Sequence, residues 1–183
     1  MVCYAGFGRD SRCHHEFAAE GPEEMNIEYR PIGVIHTPFS EPRGMPIQPA
    51  SATGVAGTVE IFAEYRAGLK DLAGFSHVIL LYHFHRSEGF DLEVVPFLDS
   101  QLRGLFATRA PRRPNAIGLS VVRLRKVDEG ILQVENVDML DGTPLLDIKP
   151  YVPAFDAPED IRTGWLEESG RDVKNRKADD RFS

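Results

Sequence analysis

The chain has 183 residues, 42% hydrophobic and 27% charged, which suits one globular domain of roughly 130–150 residues with appendages. No apolar run approaches the ~18–20 residues of a membrane span, so no membrane partner is expected. The opening MVCYAGFGRDSRCHHE lacks the apolar core of a signal peptide, and Cys3 and Cys13 are the only cysteines, so there is no disulfide framework and the cytoplasm is the default compartment.

The net charge of −7 argues against sequence-blind coating of nucleic acid. The charge is uneven, however. Between Gln101 and Lys126 stand Arg103, Arg109, Arg112, Arg113, Arg123, Arg125 and Lys126, with no acidic residue. A basic patch on an acidic protein points to a specific anionic partner. Chance clustering is the alternative.

In chain order, residues 1–26 show no periodicity and read as a poorly ordered extension. Cys3, Cys13, His14 and His15 match no zinc spacing, so no metal is expected there. Met25 stands just before the first ordered-looking segment and is a possible internal start. Ile27–Ile35 reads as an edge strand interrupted by Pro31. His36–Ser51 is a long loop with four prolines, and loops of that length tend to be functional or disordered. Its apolar centre, Gly44 to Gln48, is suited to lie against a flat ring.

Ala56–Phe62 alternates and reads as a strand. Ala63–Leu72 reads as a short helix ended by Gly74. Phe75–His85 is the strongest strand signal; it is apolar on both faces, which predicts a central, buried strand. His77, His83 and His85 share its parity, but His77 and His83 lie roughly 20 Å apart at ~3.3 Å per residue and cannot share an ion. A short apolar strand is expected at Leu92–Val95.

Leu105–Ser120, LFATRAPRRPNAIGLS, reads as a strand end, a proline-stiffened turn and a new strand. A stiff loop carrying several guanidinium groups suits recognition of an anion; a solvated turn is the plain alternative. Ile117–Lys126 is a strand, Asp128–Gly130 a tight turn, and Ile131–Val137 the returning arm of a hairpin. Asp138–Pro144 reads as a turn, and Leu145–Val152 as a last strand with Asp147 and Lys149 on one side. Beyond Asp156 the chain becomes a charged tail, with Trp165 placed to pin its start to the body. The organisation is an extension over 1–26, a domain over 27–156 and a tail over 157–183. About seven short strands with Gly and Pro turns favour a mainly β barrel or sandwich. No nucleotide-binding glycine loop, nucleophile elbow or H-E-x-x-H motif is present.

Two segments carry a resemblance. Ala107–Ser120 resembles the signature T-R-[SA]-P-x-R-P-N-[PA]-I-G-L-S, and Asp141–Tyr151 resembles D-G-T-P-[VL]-[LV]-D-I-K-P-Y, both of the TrmO (YaeB-like) family of tRNA methyltransferases. Ile32–Ile35 and Phe75–His77 fit its opening strands. The resemblance covers about residues 27–156. It implies a single-sheet β-barrel, a homodimer, S-adenosylmethionine (SAM) as cofactor, and N6-methylation of threonylcarbamoyladenosine beside the anticodon of tRNA. By motif position it implies cofactor contacts at Pro46, Ile47, Gln48, His85, Arg86, Arg109, Leu119, Asp141, Gly142, Thr143 and Pro144. Two features differ: Ala116 replaces the signature's usual proline, and about 27 residues follow Asp156 where many members carry a further domain.

The acceptor nitrogen lies between a carbonyl and a purine, so its delocalised lone pair calls for proton removal. His85, and after it Asp141, are the candidate general bases. Arg103, Arg112, Arg113, Arg123, Arg125 and Lys126 are the candidate phosphate contacts for tRNA. A SAM-binding sensor or interaction module, or a methyltransferase with another acceptor, is the rival reading.

Overall fold

A computed structural model describes residues 26–169 and 177–179. The readings made on Cys3, Cys13, His14, His15 and Met25 lie outside the described residues. Eight strands are present among them: β1 (Gly33–His36), β2 (Ala56–Ile61), β3 (His77–His83), β4 (Glu93–Val94), β5 (Arg103–Gly104), β6 (Ile117–Asp128), β7 (Ile131–Glu135) and β8 (Thr143–Pro150). Six of them close an antiparallel barrel in the order β1-β2-β7-β6-β3-β8, and β4 pairs with β5 as a separate ribbon. The barrel therefore has six strands rather than about seven, because the weak Leu92–Val95 signal belongs to the ribbon.

The alternation in the sequence becomes an inside and an outside. Val78, Leu80 and Tyr82 of β3 face inward with Val122 and Leu124 of β6, Leu132 and Val134 of β7, and Leu145 of β8. Each fully buried aliphatic side chain contributes about 1.5–3 kcal/mol over leaving it in water. The opposite face of β3 is only half-buried at Ile79 and Leu81, and His83 is exposed. The prediction of two buried faces thus holds for one, since a barrel has a single interior.

Four further expectations are corrected. β1 is not an edge: it lies between β2 and β8, and Pro31 precedes it, where Ile32 N–H already donates to Leu145 C=O at 2.8 Å. Residues 63–69 form a 3₁₀ rather than an α-helix, with Lys70 N–H donating to Ala67 C=O, and Asp71 at φ 65 ends the run. Leu105–Ala107 is likewise a 3₁₀ turn rather than a strand end; Leu105 C=O accepts from Thr108 N–H at 3.0 Å and Thr108 Oγ1 at 2.8 Å. Thr143 and Pro144 belong to β8 rather than to the preceding turn. The β6–β7 hairpin turns on Glu129 and Gly130 at φ 47 and 88, the left-handed pair that two-residue hairpins require.

Gly118 shows how tightly the barrel end is packed. It pairs with Tyr82, and a Cβ there would overlap the Tyr82 ring. Gly118→Ala is expected to cost about 1–3 kcal/mol in urea unfolding. The Tyr82 ring resonances are expected to move with it, since the added methyl group would overlap that ring.

Candidate functional site

One end of the barrel carries a cavity of about 980 Å³, at the upper end of small-molecule sites. Three segments build it. The loop after β1 supplies Pro46, Ile47 and Gln48, the stretch after β3 supplies His85 and Arg86, and the arginine-rich loop with β6 supplies Arg109, Arg113 and Leu119. Tyr82, Asp138, Met139 and Thr143 line it from the barrel side, and Trp165 from the chain beyond it.

Each wall has a physical anchor. Arg86 Nη1 donates to Ser40 C=O at 2.7 Å and ties down the proline-rich loop. Arg109 Nη1 donates to Gln48 Oε1 at 3.1 Å, bridging two walls. Arg113 Nη1 donates to Thr108 C=O at 3.1 Å and Ala110 C=O at 3.4 Å, closing its own loop. Trp165 Nε1 donates to Ala107 C=O at 2.9 Å, so the tryptophan does pin the start of the tail. The tail does not wholly lead away: Gly44 N–H donates to Ala178 C=O at 2.9 Å and Ala178 N–H donates to Met45 C=O at 2.8 Å.

The expected cofactor positions divide. Pro46, Ile47, Gln48, His85, Arg86, Arg109, Leu119 and Thr143 all line the cavity, whereas Asp141, Gly142 and Pro144 do not. Asp141 Oδ1 accepts from Thr37 N–H at 3.1 Å and lies 3.4 Å from His36 Nδ1. The Thr37 amide first, and the nearby His36, hold its carboxyl below the usual range. His85 faces Thr143 Oγ1 at 3.4 Å. Burial, then the charges of Arg86 and His83, push its imidazole below the ordinary value, so it is neutral at neutral pH.

The basic residues also divide. Arg113 lines the cavity, whereas its neighbour Arg112 does not: Arg112 Nε donates to Glu88 C=O at 3.2 Å and its guanidinium lies 4.0 Å from Asp91. Arg103 is engaged by Asp99 at 2.7 Å and lies over the Trp165 ring. Arg123, by contrast, pairs with His77 at the far end of β3, six residues from Ile117, or roughly 20 Å along the strand. Arg125 pairs with Glu135 at 2.7 Å and Lys126 with Asp128 at 2.6 Å, both beyond it. The single stretch of positive charge is thus two groups.

A carboxyl that sequence reasoning passed over as part of a turn sits in the cavity wall. Ser120 Oγ donates to Asp138 Oδ1 at 2.6 Å, and Tyr82 Oη lies 3.0 Å from Ser120 Oγ. Part of Asp138 faces the cavity, and protein encloses the rest. Burial pushes its carboxyl up to about 6, against the opposing pull of the Ser120 hydrogen bond and the Arg109 charge. Burial also drives Tyr82 far up, so its hydroxyl stays neutral. The available signal was Ser120, a polar residue at an inward position of an apolar strand, which demands a buried partner.

A family model described as the tRNA-methyltransferase O N-terminal domain matches residues 34–157. A Pyrococcus abyssi protein described as a probable S-adenosyl-L-methionine-binding protein is 54% identical over 86% of this chain and 86% of its own. The human tRNA (adenine(37)-N6)-methyltransferase is 36% identical over 76% of this chain, which spans 33% of that protein. The crystal structure of TrmO from Pseudomonas aeruginosa superposes with a TM-score of 0.66 at 42% identity, covering 77% of this chain and 63% of that one. This chain therefore spans under two thirds of that solved protein.

The Asp138 carboxyl gives a direct test of the site's electrostatics. By carbon-detected NMR it is expected to titrate near 6, and higher in Ser120→Ala, which loses the bond favouring the charged form. The folded state then holds this proton more tightly than the unfolded chain. Its contribution to stability is therefore lost as pH rises from about 4 to 6, and Asp138→Asn is expected to remove that part of the pH dependence of melting.

Proposed function

The chain belongs to the tRNA-methyltransferase O family, and on that premise we propose that it is a SAM-dependent methyltransferase that N6-methylates threonylcarbamoyladenosine beside the anticodon of tRNA. The observation that carries this reading is convergence. Gln48, His85, Arg109, Leu119 and Thr143 lie in four separate parts of the sequence, three of them within the family's motifs, and all line one cavity.

The donor set suits the cofactor. Arg109 offers a fixed fork to the methionine carboxylate, and Arg86 adds charge beside it. Pro46, Ile47, Leu119 and Met139 offer apolar surface to a flat base. His85, neutral and beside Thr143, offers a ring nitrogen to a ligand hydroxyl or amine. SAM supplies a methyl group on a good leaving group, so the protein's main task is to position the acceptor and exclude water. The proline-stiffened loop and the anchored β1–β2 loop do this by holding both walls rigid.

The tRNA phosphates are assigned to Arg112 and Arg113 of the arginine-rich loop, with exposed Phe106 beneath the Arg113 guanidinium as a surface for an unstacked base. Arg123, Arg125 and Lys126 lie at the other end of the barrel and meet only more distant parts of the same RNA. The outer face of β3 and β6 carries Leu81 paired with Leu119 and His83 with Ile117, and Leu119 and Ile117 remain 47% and 37% exposed. Both also line the cavity, so the proposed contact of a homodimer lies at the rim of the cofactor site. A tRNA substrate places the work in the cytoplasm.

The primary test is methyl transfer from labelled SAM to tRNA bearing threonylcarbamoyladenosine, beside the same tRNA without it. Label is expected only in the modified tRNA; SAM bound without transfer would favour another acceptor or a sensor. Arg109→Ala is expected to weaken SAM roughly 10–100-fold by calorimetry, as loss of a charge-assisted hydrogen bond implies. Arg112→Glu is expected to weaken tRNA binding about tenfold in low salt, and Arg125→Glu less than twofold.

A further inference from the structure

Methylating an N–H nitrogen leaves a proton to be placed, and a cationic cofactor becomes a neutral thioether in the same event. A wall built from Arg86, Arg109 and Arg113 is poorly suited to either change. Among the described residues the cavity wall holds two carboxylates, exposed Asp179 and enclosed Asp138. Resting on the methyltransferase reading, we propose that Asp138 is the counter-charge to the sulfonium of SAM and the acceptor of the proton that the substrate nitrogen loses.

The geometry separates Asp138 from the alternatives. Asp141 is held outside the cavity by Thr37 N–H and lies beside His36. His85 lies in the wall, but a proton there would create a cation beside Arg86 and His83, which already disfavour it. Asp138 is faced by Ser120 from β6, Tyr82 from β3 and Arg109 from the arginine-rich loop. Ser120 holds one carboxylate oxygen at 2.6 Å and itself meets Tyr82, so the group is oriented without being neutralised.

The step balances. Asp138 takes the N–H proton on a carboxylate oxygen while the nitrogen's electron pair forms the new N–C bond. The pair of the broken C–S bond stays on sulfur. Carboxylate and sulfonium stand in the cavity before the step, carboxylic acid and thioether after it, so its net charge is unchanged in a region where uncompensated charge is costly. The upward push of burial on Asp138 supports the same order of events. Beside a cation the carboxylate is favoured, and once that cation is gone the acid is favoured. The product is then a neutral ligand facing a neutral acid, which favours its release over retention.

The test compares SAM with S-adenosylhomocysteine by calorimetry from pH 5 to 8, in wild type, Asp138→Asn and Ser120→Ala. The two ligands share carboxylate, amine, ribose and adenine, so their affinity ratio isolates the sulfonium. In wild type the preference for SAM is expected to fall about tenfold between pH 7 and pH 5 as Asp138 protonates. In Asp138→Asn the pH 7 preference is expected to drop at least tenfold and its pH dependence to vanish; a pH dependence of wild-type size surviving in that variant overturns the proposal. Ser120→Ala is expected to move the midpoint to higher pH, and it decides the matter if the asparagine variant does not fold. With modified tRNA, kcat of Asp138→Asn at pH 7 is expected to fall about 10²–10⁴-fold with KM for tRNA unchanged. A wild-type ratio equal at pH 5 and 7, or an asparagine variant keeping the wild-type ratio, overturns the proposal. Wild-type protein binding neither ligand overturns the methyltransferase reading beneath it.

Discussion

Antiparallel pairing joins β3 to β6 from His77 opposite Arg123 to His83 opposite Ile117. That register decides which residues reach the cavity. It sets Tyr82 against Gly118, where only a hydrogen fits beneath the ring, and Leu80 against Ser120. With Tyr82 seated there, its hydroxyl reaches Ser120, and Ser120 reaches Asp138 on the segment after β7. A slip of one residue would turn the inward residues of β6 outward and leave the Asp138 carboxyl without its donor. The hydrophobic interior and the polar group in the cavity wall are therefore one device: the apolar residues hold the register, and the register holds the polar contacts.

The same pairing explains why the arginine-rich loop is stiff. Its C-terminal end is tied to the barrel, since β6 begins at Ile117 and Phe84 N–H donates to Ala116 C=O at 2.8 Å, and its N-terminal end is the 3₁₀ turn whose Ala107 C=O accepts from Trp165. Pro111 and Pro114 remove backbone freedom between those ties, and Arg113 Nη1 donates to two carbonyls of its own loop. Arg109 is left with its fork toward the cavity, bonded to the side-chain amide of Gln48. A guanidinium held by a neutral acceptor keeps its charge available to an anionic ligand, whereas Arg103, saturated by Asp99, does not.

Much of this was legible in the sequence where the cause is local. The β6–β7 hairpin follows from alternation on either side of Glu129-Gly130, and the arginine-rich loop from its prolines. Of the cavity residues, Arg109, Leu119 and Thr143 fall within the two motifs. What stayed hidden depends on long-range pairing. Closure through β1 and β8 leaves no local mark, so β1 read as an edge. The basic residues form one run in sequence, yet a strand rises ~3.3 Å per residue and carries Arg123, Arg125 and Lys126 away from Arg112 and Arg113. Asp138 sat in a segment whose Asp, Gly and Pro content explains a turn by itself. Its chemistry comes from Ser120 and Tyr82, which only the barrel brings near.

The walls of the cavity are held differently from its floor. Tyr82, Thr143 and Met139 belong to the buried barrel, whose opening requires loss of its hydrophobic interior. The loop carrying Pro46–Gln48 contributes no barrel strand; it rests on Arg86 reaching Ser40, on Arg109 reaching Gln48, and on backbone bonds from Gly44 and Met45 to Ala178. Each of those polar contacts nets only about 0.5–1.5 kcal/mol, and they can break without disturbing the strands. Local opening of such a wall is far cheaper than unfolding the domain. The site thereby combines a floor built into the barrel with a loop wall held by polar contacts, and the Asp138 carboxyl belongs to the floor, where Ser120 and Tyr82 fix it.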